Sequence, residues 1–317
     1  MKILISTICI LFTLNATVAQ ERYLEEITDS VQTETFTYIQ KDGQQLELDV
    51  YTPAFDSQDT RPVLLYVHGG GFSGGTRDGG RIPAFCKKIA RRGYVVVSIT
   101  YRLTRKGTPT GFGCDCPADE KMKTFAAAVE DIQDATYFLI QNREQLGIDP
   151  YRIILSGSSA GAESVLMAAY QPPYCYDLDK GPVSYAGVIS MAGAIPDTSI
   201  IYAESAVPSL LFHGTCDNLV PYGSAPHHYC NEDKPGYLVL HGGKTIADRL
   251  HQLDKPYWLY TLCGENHRIA SSPMVEQFDE IISFCNDFVL HQSKNQIHTV
   301  IPGKHNCQYP EFDYCQN

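Results

Sequence analysis

Two glycine-rich segments contain the residues best suited to chemistry. The first is His68-Gly69-Gly70-Gly71-Phe72, whose three adjacent glycines let the backbone turn sharply and point N–H groups at one location. The second is Gly157-Ser158-Ser159-Ala160-Gly161, a Gly-x-Ser-x-Gly pattern that holds a serine on a tight strand-to-helix turn with its hydroxyl exposed. Together they predict Ser159 as a nucleophile beside an oxyanion hole, the two parts that acyl transfer needs first.

A serine hydroxyl becomes a strong nucleophile when a histidine accepts its proton, and that histidine needs a carboxylate that fixes its tautomer. Asp217 follows the hydrophobic run that ends at Phe212, and His267 follows the next such run, on a loop before the last helix. We expect Asp217 to orient His267. Glu265 is the rival acid, but it is too near His267 in sequence to reach behind the ring easily. Ser158, one place off the pattern, is expected to point elsewhere.

The other histidines are expected to have different roles. His68 belongs to the glycine turn, and His213 precedes Asp217 too closely to be oriented by it. An exposed polar position is the expectation for most of the rest, which are His227, His228, His241 and His251 in or beside an inserted segment, and His291, His298 and His305 at the last helix end or in the tail.

The first 19 residues have the pattern of a secretory signal. Lys2 supplies the positive start, residues 3–14 the apolar centre, and Thr17-Val18-Ala19 a small-residue cleavage site. The apolar run is too short to span a bilayer, and no later segment reaches about 18 apolar residues. We therefore expect export to the periplasm or the medium without a stable membrane anchor. The net charge of −11 argues against nucleic acid as a partner.

Ten of the eleven cysteines follow the signal, and an even number in an exported chain suggests up to five disulfides. One expected pair closes a short C-terminal loop, and the other joins residues that end neighbouring strands. These pairs are Cys307–Cys315 and Cys216–Cys263. The single residue between Cys114 and Cys116 differs from the usual two-to-four-residue spacing of zinc ligands, so no metal site is expected there.

Residues 20–317 are predicted to form one α/β domain. Hydrophobic strands alternate with helices, which predicts a mostly parallel sheet with helices on both faces. An N-terminal hairpin around Lys41-Asp42-Gly43 is expected to form an antiparallel edge. Insertions at 102–123, 171–183 and 222–242 are expected as irregular loops at the carboxyl edge of the sheet, where ligands bind. A polar tail, 293–317, holds the last two cysteines.

Five motifs occur in a fixed order along the chain: His68-Gly69-Gly70-Gly71-Phe72, Tyr101-Arg102-Leu103, Gly157-Ser158-Ser159-Ala160-Gly161, His213-Gly214-Thr215-Cys216-Asp217 and Asn266-His267. This set resembles that of one branch of the α/β-hydrolases, the carboxylesterases and hormone-sensitive-lipase-like enzymes, and is also similar to that of secreted bacterial feruloyl and acetyl esterases. The likeness covers roughly residues 63–290. It departs from the family in having no obvious long helical cap at the N-terminus and a long cysteine-bearing insert between Asp217 and His267.

The resemblance implies a role for each matching position. Ser159 would be the nucleophile, His267 the general base and then acid, and Asp217 its orienter. The N–H groups of Gly70, Gly71 and Ala160 would form the oxyanion hole.

The expected function is hydrolysis of a carboxylic ester through an acyl-enzyme, without a metal or an organic cofactor. The substrate would be a small-molecule or polymer-attached ester, for instance a feruloyl, acetyl or other small acyl or aryl ester. Two alternatives stay open: a peptidase or amidase that uses the same triad, and a binding protein that keeps this fold without catalysis.

Overall fold

The computed structural model describes residues 21–171 and 183–316. The expected signal, 1–19, and nearly all of the insertion at 171–183 lie outside these residues. Among the helices within them, none is long and apolar enough to cross a membrane.

A nine-stranded sheet forms the centre of the described part of the chain. The first two strands are antiparallel to each other, the second is antiparallel to its next neighbour, and all other pairs are parallel. This confirms the predicted mostly parallel sheet with an antiparallel N-terminal hairpin. In spatial order the strands are β1 (Val31–Lys41), β2 (Gln44–Pro53), β4 (Val95–Ile99), β3 (Arg61–Val67), β5 (Ile148–Ser158), β6 (Gly187–Met191), β8 (Ser209–Gly214), β11 (Tyr257–Leu262) and β12 (Gln296–Ile301).

Helices cover both faces of this sheet, as the alternation of elements predicts. Side chains of β3 alternate between the two faces: Val63, Leu65 and Val67 pack with one set of helices, and Leu64 and Tyr66 with the other. On the first face lie α2 (Ala118–Gln141), α4 (Ala160–Tyr170) and α5 (Gly243–Gln252); on the second lie α1 (Ile82–Ala90), α6 (Pro273–Glu276) and α7 (Phe278–Phe284). A short helix, α3 (Arg143–Leu146), ends at Gly147 in the left-handed conformation.

In the order β4-β3-β5, the strand that follows β3 in sequence lies on one side of it and β5 lies on the other, so the direction in which strands are added reverses at β3. In sheets of this type the carboxyl ends at such a reversal form a crevice that binds ligands. The glycine segment at residue 68 follows β3, and Ser159 follows β5. The fold therefore brings the two motifs together at the crevice.

Several element boundaries differ from the sequence-based expectations. Helix α2 begins at Ala118, within the insertion expected to be irregular. The last helix is interrupted at Gln277 and ends in a π-helical turn, Cys285–Leu290. Two further differences are added strands. The insertion at 222–242 contains β9 (Ser224–Pro226) and β10 (Val239–Gly242), which form a small sheet with β7 (Ala194–Ile195), and the tail contributes β12.

Both expected disulfide pairings are wrong. The tail does not close on itself; it runs beside β11 as β12 and then crosses the loops that follow β8 and β11. Gly303 lies so near the Cys263 carbonyl that a Cβ there would approach it to 1.8 Å. A disulfide joins each of these two loops to the tail, and a third disulfide joins the insertion at 102–123 to the insertion at 222–242. The disulfides of the described residues are Cys216–Cys307, Cys263–Cys315 and Cys114–Cys230, while Cys86, Cys116 and Cys285 are buried free thiols.

Candidate active site

Ser159 occupies the sharp turn between β5 and α4. Its φ of 51° and ψ of −124° are unusual for a residue with a side chain, and its N–H is bonded to the Met191 carbonyl on the neighbouring strand at 2.9 Å. Backbone strain of this kind persists only where the surroundings fix it. The turn brings the Ser159 hydroxyl within hydrogen-bond distance of His267, whereas the Ser158 hydroxyl accepts a hydrogen bond from the buried Tyr66 at 3.0 Å.

The glycines on either side of Ser159 permit this turn to pack. A Cβ on Gly157 would lie 2.5 Å from the carbonyl of Gly161, and one on Gly161 would lie 2.2 Å from the carbonyl of Val67. Real Cβ atoms do not make such contacts. The pattern therefore meets two steric requirements, one within the turn and one between α4 and the end of β3.

His267 joins Ser159 to Asp217. Its Nε2 lies 2.8 Å from the Ser159 Oγ, and its Nδ1 lies 2.7 Å from the Asp217 Oδ2. His267 begins a 3₁₀ turn after β11, and the side chain of Asn266 caps that turn by accepting from the Arg268 N–H at 3.0 Å. The three side chains predicted from sequence thus meet in one hydrogen-bonded line, although they come from three separate strand ends.

Asp217 is fully buried and held at both oxygens. Its Oδ1 accepts from the N–H groups of Leu219 and Val220 at 2.9 and 3.0 Å, which leaves Oδ2 for His267. The buried His213 lies 3.6 Å from the same Oδ2 but is hydrogen-bonded to the Val220 carbonyl at 3.1 Å. Burial lowers the pKa of His213, so this imidazole is neutral and does not compete with His267 for the carboxylate charge.

The glycine segment forms a tight loop facing Ser159. Gly70 and Gly71 have φ values of 121° and 58°, and a Cβ on Gly70 would lie 2.2 Å from the Gly74 carbonyl. The loop is anchored by His68, whose Nδ1 lies 2.7 Å from the Gly69 oxygen, and by Tyr101, whose hydroxyl donates to the His68 carbonyl at 3.0 Å. These contacts leave glycine backbone as the surface that a bound carbonyl would meet.

Two adjoining cavities open around this turn. The first, called the Ser159 cavity below, has a volume of about 580 Å³ and is lined by Ser159, His267, Gly70, Gly71 and Ala160 together with residues of the insertions. The second has about 700 Å³ and is lined by residues that include Tyr66, Arg81 and Arg268. They share Gly69, Ser158 and Ser271 as a common wall. All three proposed oxyanion donors belong to residues that line the same cavity as the Ser159 hydroxyl.

Sequence reasoning missed two buried polar residues of the Ser159 cavity. His227, for which the sequence predicts an exposed position, is 1% exposed, and Glu163 is 2% exposed. The inserted segment lines the cavity and is joined to another insertion by the Cys114–Cys230 disulfide, and its His227 is enclosed. Glu163 had a detectable signal, since it lies four residues after Ser159 and one helical turn brings it back to the same side of α4.

Comparison with known proteins agrees with this architecture. The BD-FAE family model matches residues 48–179, a stretch that includes the glycine loop and Ser159 but ends before Asp217 and His267. Phenmedipham hydrolase of Pseudarthrobacter oxydans is 36% identical over 129 residues, 40% of this chain and 23% of that protein. Chlorogenic acid esterase of Aspergillus niger is 34% identical over 155 residues, 47% of this chain and 27% of that protein. The chain thus spans about a quarter of the length of these relatives.

A solved structure gives a more complete overlap. Esterase 2 of Thermogutta terrifontis, with butyrate bound, superposes with a TM-score of 0.60 at 19% sequence identity and covers 83% of this chain and 95% of its own. At so low a sequence identity, the superposition shows that the two proteins share a fold and nothing more. Taken with the family model and the esterase relatives, it shows that the chain has an α/β-hydrolase fold similar to that of the carboxylesterases.

Proposed function

We propose that the protein is a secreted serine carboxylic-ester hydrolase that uses Ser159, His267 and Asp217 and forms an acyl-enzyme. The observation that carries this proposal is the unbroken hydrogen-bonded line from Ser159 Oγ through His267 to the buried Asp217, open to a cavity lined by Gly70, Gly71 and Ala160. A general base within 2.8 Å of a strained serine hydroxyl is the arrangement that nucleophilic acyl transfer requires.

The reaction would proceed in two steps. Ser159 Oγ attacks the ester carbonyl while His267 Nε2 accepts its proton, and the N–H groups of Gly70, Gly71 and Ala160 stabilise the oxyanion. His267 then gives the proton to the departing alkoxide, which leaves as the alcohol. In the second step His267 takes a proton from water and the resulting hydroxide attacks the acyl carbonyl. The bond from the acyl carbon to Ser159 Oγ then breaks, His267 returns the proton to Ser159 Oγ, and the carboxylic acid departs.

The relatives favour an ester of modest size. The two curated relatives are named for the hydrolysis of phenmedipham and chlorogenic acid, and the solved Thermogutta terrifontis esterase has butyrate bound. A cavity of about 580 Å³ lies within the range that small organic ligands occupy. Small acyl or aryl esters, feruloyl and acetyl esters among them, are therefore the substrates we propose.

Export is part of the proposal. Three disulfides among the described residues fit an oxidising compartment. Mass spectrometry of the protein recovered from the medium or periplasm is expected to give a mature N-terminus at Gln20. Recovery only from the cytoplasm, with residues 1–19 retained, would contradict export.

Ester hydrolysis is tested with p-nitrophenyl esters of increasing acyl length, with Ser159→Ala as the matched variant. We expect the wild type to turn over short acyl esters and the variant to lose at least about 10³-fold in kcat. Parallel p-nitroanilides test the amidase alternative. If the wild type hydrolyses no ester and a serine-directed phosphonate fails to label Ser159, the enzyme interpretation is wrong and a binding role replaces it.

A further inference from the structure

The Ser159 cavity contains a buried polar pair beside apolar side chains. Glu163 and His227 are 2% and 1% exposed, and both line the cavity together with Phe112, Leu219 and Val220. The Phe112 ring packs against the His227 ring with centroids 5.3 Å apart. Burying a carboxyl and an imidazole in such surroundings costs free energy unless both are hydrogen-bonded.

That requirement is not met within the part of the chain that the structure describes. Glu163 Oε1 and His227 Nδ1 have no hydrogen-bond partner there, although each is shielded from solvent. The two side chains approach each other only at 3.4 Å, between Glu163 Oε1 and His227 Nε2. These two unpaired polar atoms belong to residues that line a cavity beside a candidate nucleophile. Such a pair can form hydrogen bonds with a polar group of a bound molecule.

Burial favours the uncharged form of both groups. Burial, assisted by the charge of Asp217, holds the pKa of Glu163 well above its usual range, and Lys121 opposes this shift. Burial, assisted by His228, Lys121 and His267, holds the pKa of His227 well below its usual range.

The charge of Lys121 does not turn the pair into an ion pair. Its Nζ is committed to the Gly236 carbonyl at 2.7 Å, and burial lowers its own pKa. The surroundings of the cavity therefore favour a carboxylic acid at Glu163 and an uncharged imidazole at His227.

We infer that Glu163 and His227 bind an uncharged hydroxyl carried by the ester that enters the Ser159 cavity. A hydroxyl both donates and accepts, so one such group can pair with the carboxyl and the imidazole at once. A carboxylate or an ammonium would have to shed its hydration without a counter-charge, and an alkyl group would leave both atoms unpaired. The inference rests on the proposed ester hydrolysis, because it assigns a substrate feature to the same cavity.

The position of Glu163 links this recognition to the nucleophile. Its backbone N–H donates to the Ser159 carbonyl at 2.9 Å in the first turn of α4. Because Ser159, Glu163 and His227 line one cavity, the hydroxyl and the scissile carbonyl would belong to one small molecule, with the hydroxyl on either the acyl or the alcohol side of the ester.

Two pairs of esters distinguish these sides, and within each pair the reactivity of the ester bond is matched. The acyl pair is methyl 3-(4-hydroxyphenyl)propanoate and methyl 3-phenylpropanoate; the alcohol pair is 2-(4-hydroxyphenyl)ethyl acetate and 2-phenylethyl acetate. We expect the wild type to prefer the hydroxylated member of one pair by about 10- to 100-fold in kcat/KM. The pair that shows the preference identifies the side of the ester that reaches Glu163 and His227.

Variants assign the preference to these two residues. Glu163→Leu and His227→Leu are each expected to bring the ratio of kcat/KM values close to one. Glu163→Gln keeps a hydrogen-bonding amide and is expected to give an intermediate ratio; it also provides the measurement if the leucine variants do not fold. His241→Gln is the matched control, because His241 belongs to the same insertion but is hydrogen-bonded to Ser224 outside the cavity.

The outcomes separate the inference from the proposed function. A wild type that hydrolyses both members of both pairs at equal rates overturns the inference and leaves ester hydrolysis intact. A preference that persists unchanged in the folded Glu163 and His227 variants overturns it as well. A wild type inactive on all four esters and on the p-nitrophenyl series overturns the proposed function itself.

Discussion

Replacement of Asp217 by asparagine tests the proposed mechanism with the smallest change in shape. In the structure Asp217 Oδ1 accepts from two backbone N–H groups, those of Leu219 and Val220. An asparagine must keep its carbonyl oxygen at that position, so its NH₂ group faces His267 Nδ1, 2.7 Å away. The amide then donates to Nδ1, and the imidazole proton moves to Nε2. His267 can no longer accept the proton of Ser159.

This inversion of the tautomer sets the size of the expected effect. The same exchange in a Ser-His-Asp triad of unchanged geometry costs about 10⁴-fold in kcat, equivalent to about 5 kcal/mol of transition-state stabilisation. We expect a loss of that order for Asp217→Asn in initial-rate assays with p-nitrophenyl acetate. Thermal unfolding should change little, because the variant keeps both hydrogen bonds from Leu219 and Val220.

Glu265→Gln is the matched control for this experiment. Glu265 is exposed and two residues from His267, and it is the acid that sequence alone left as a rival. Its amide variant is expected to retain kcat within about twofold, since exposed single charges have small effects. A loss below tenfold for Asp217→Asn, or an equal loss for Glu265→Gln, would refute the assignment of Asp217.

Three further predictions concern the loop, the tail and the response to acid. Gly70→Ala should lower kcat by at least about 10²-fold, because the loop must shift away from the Gly74 carbonyl. The control is Gly43→Ala, at another glycine with a positive φ but with open space around it, and this variant should keep the kcat of the wild type. Kinetics with a melting curve for each variant test this. Removing the Cys216–Cys307 disulfide by double serine substitution should lower the free energy of unfolding in urea by up to about 4 kcal/mol, given its sequence separation of 91 residues; no change would contradict it. Burial, and after it the charge of Lys121, lowers the pKa of His228 to about 4 in the folded protein. Between about pH 6.5 and 4 the unfolded chain therefore binds more protons than the folded protein does, and the melting temperature should fall as the pH drops through this range. His228→Asn should flatten that fall, and an unchanged slope would refute the argument.

The central sheet and the Ser159 turn could be predicted because their signals are local. The run at Val63 to Val67 is buried on both faces and is apolar throughout, and the glycines around Ser159 mark a turn that other residues cannot enter. Order along the chain then sufficed to bring Asp217 and His267 to the same edge, since parallel strands end on one side of a sheet. These steps require no knowledge of contacts between distant segments.

The rest depended on such contacts. Strand β12, Gln296–Ile301, is half-buried at the edge of the sheet and includes a glutamine, a histidine and a threonine, so its apolar signal is weak. Its pairing with β11 carries the tail past the loops that hold Cys216 and Cys263, which sequence spacing could not reveal. The burial of His227 likewise follows from the folding of an insertion across the cavity, and no property of the residue itself predicts it.

The tail gives the two halves of the site different sources of rigidity. Ser159 and the glycine loop are fixed by the sheet, by helix α4 and by glycine packing, and they lie within the stretch that the family model matches. Asp217 follows directly after Cys216, and His267 follows Cys263 by four residues. Both of those cysteines are disulfide-bonded to the tail, so the loops that carry Asp217 and His267 are held by a segment outside the matched stretch. The 2.8 Å contact between Ser159 Oγ and His267 Nε2 thus joins a half of the site that is held by packing to a half that is held by disulfides. Reduction of the disulfides should therefore disturb the alignment of His267 and Asp217 before it disturbs the turn that carries Ser159.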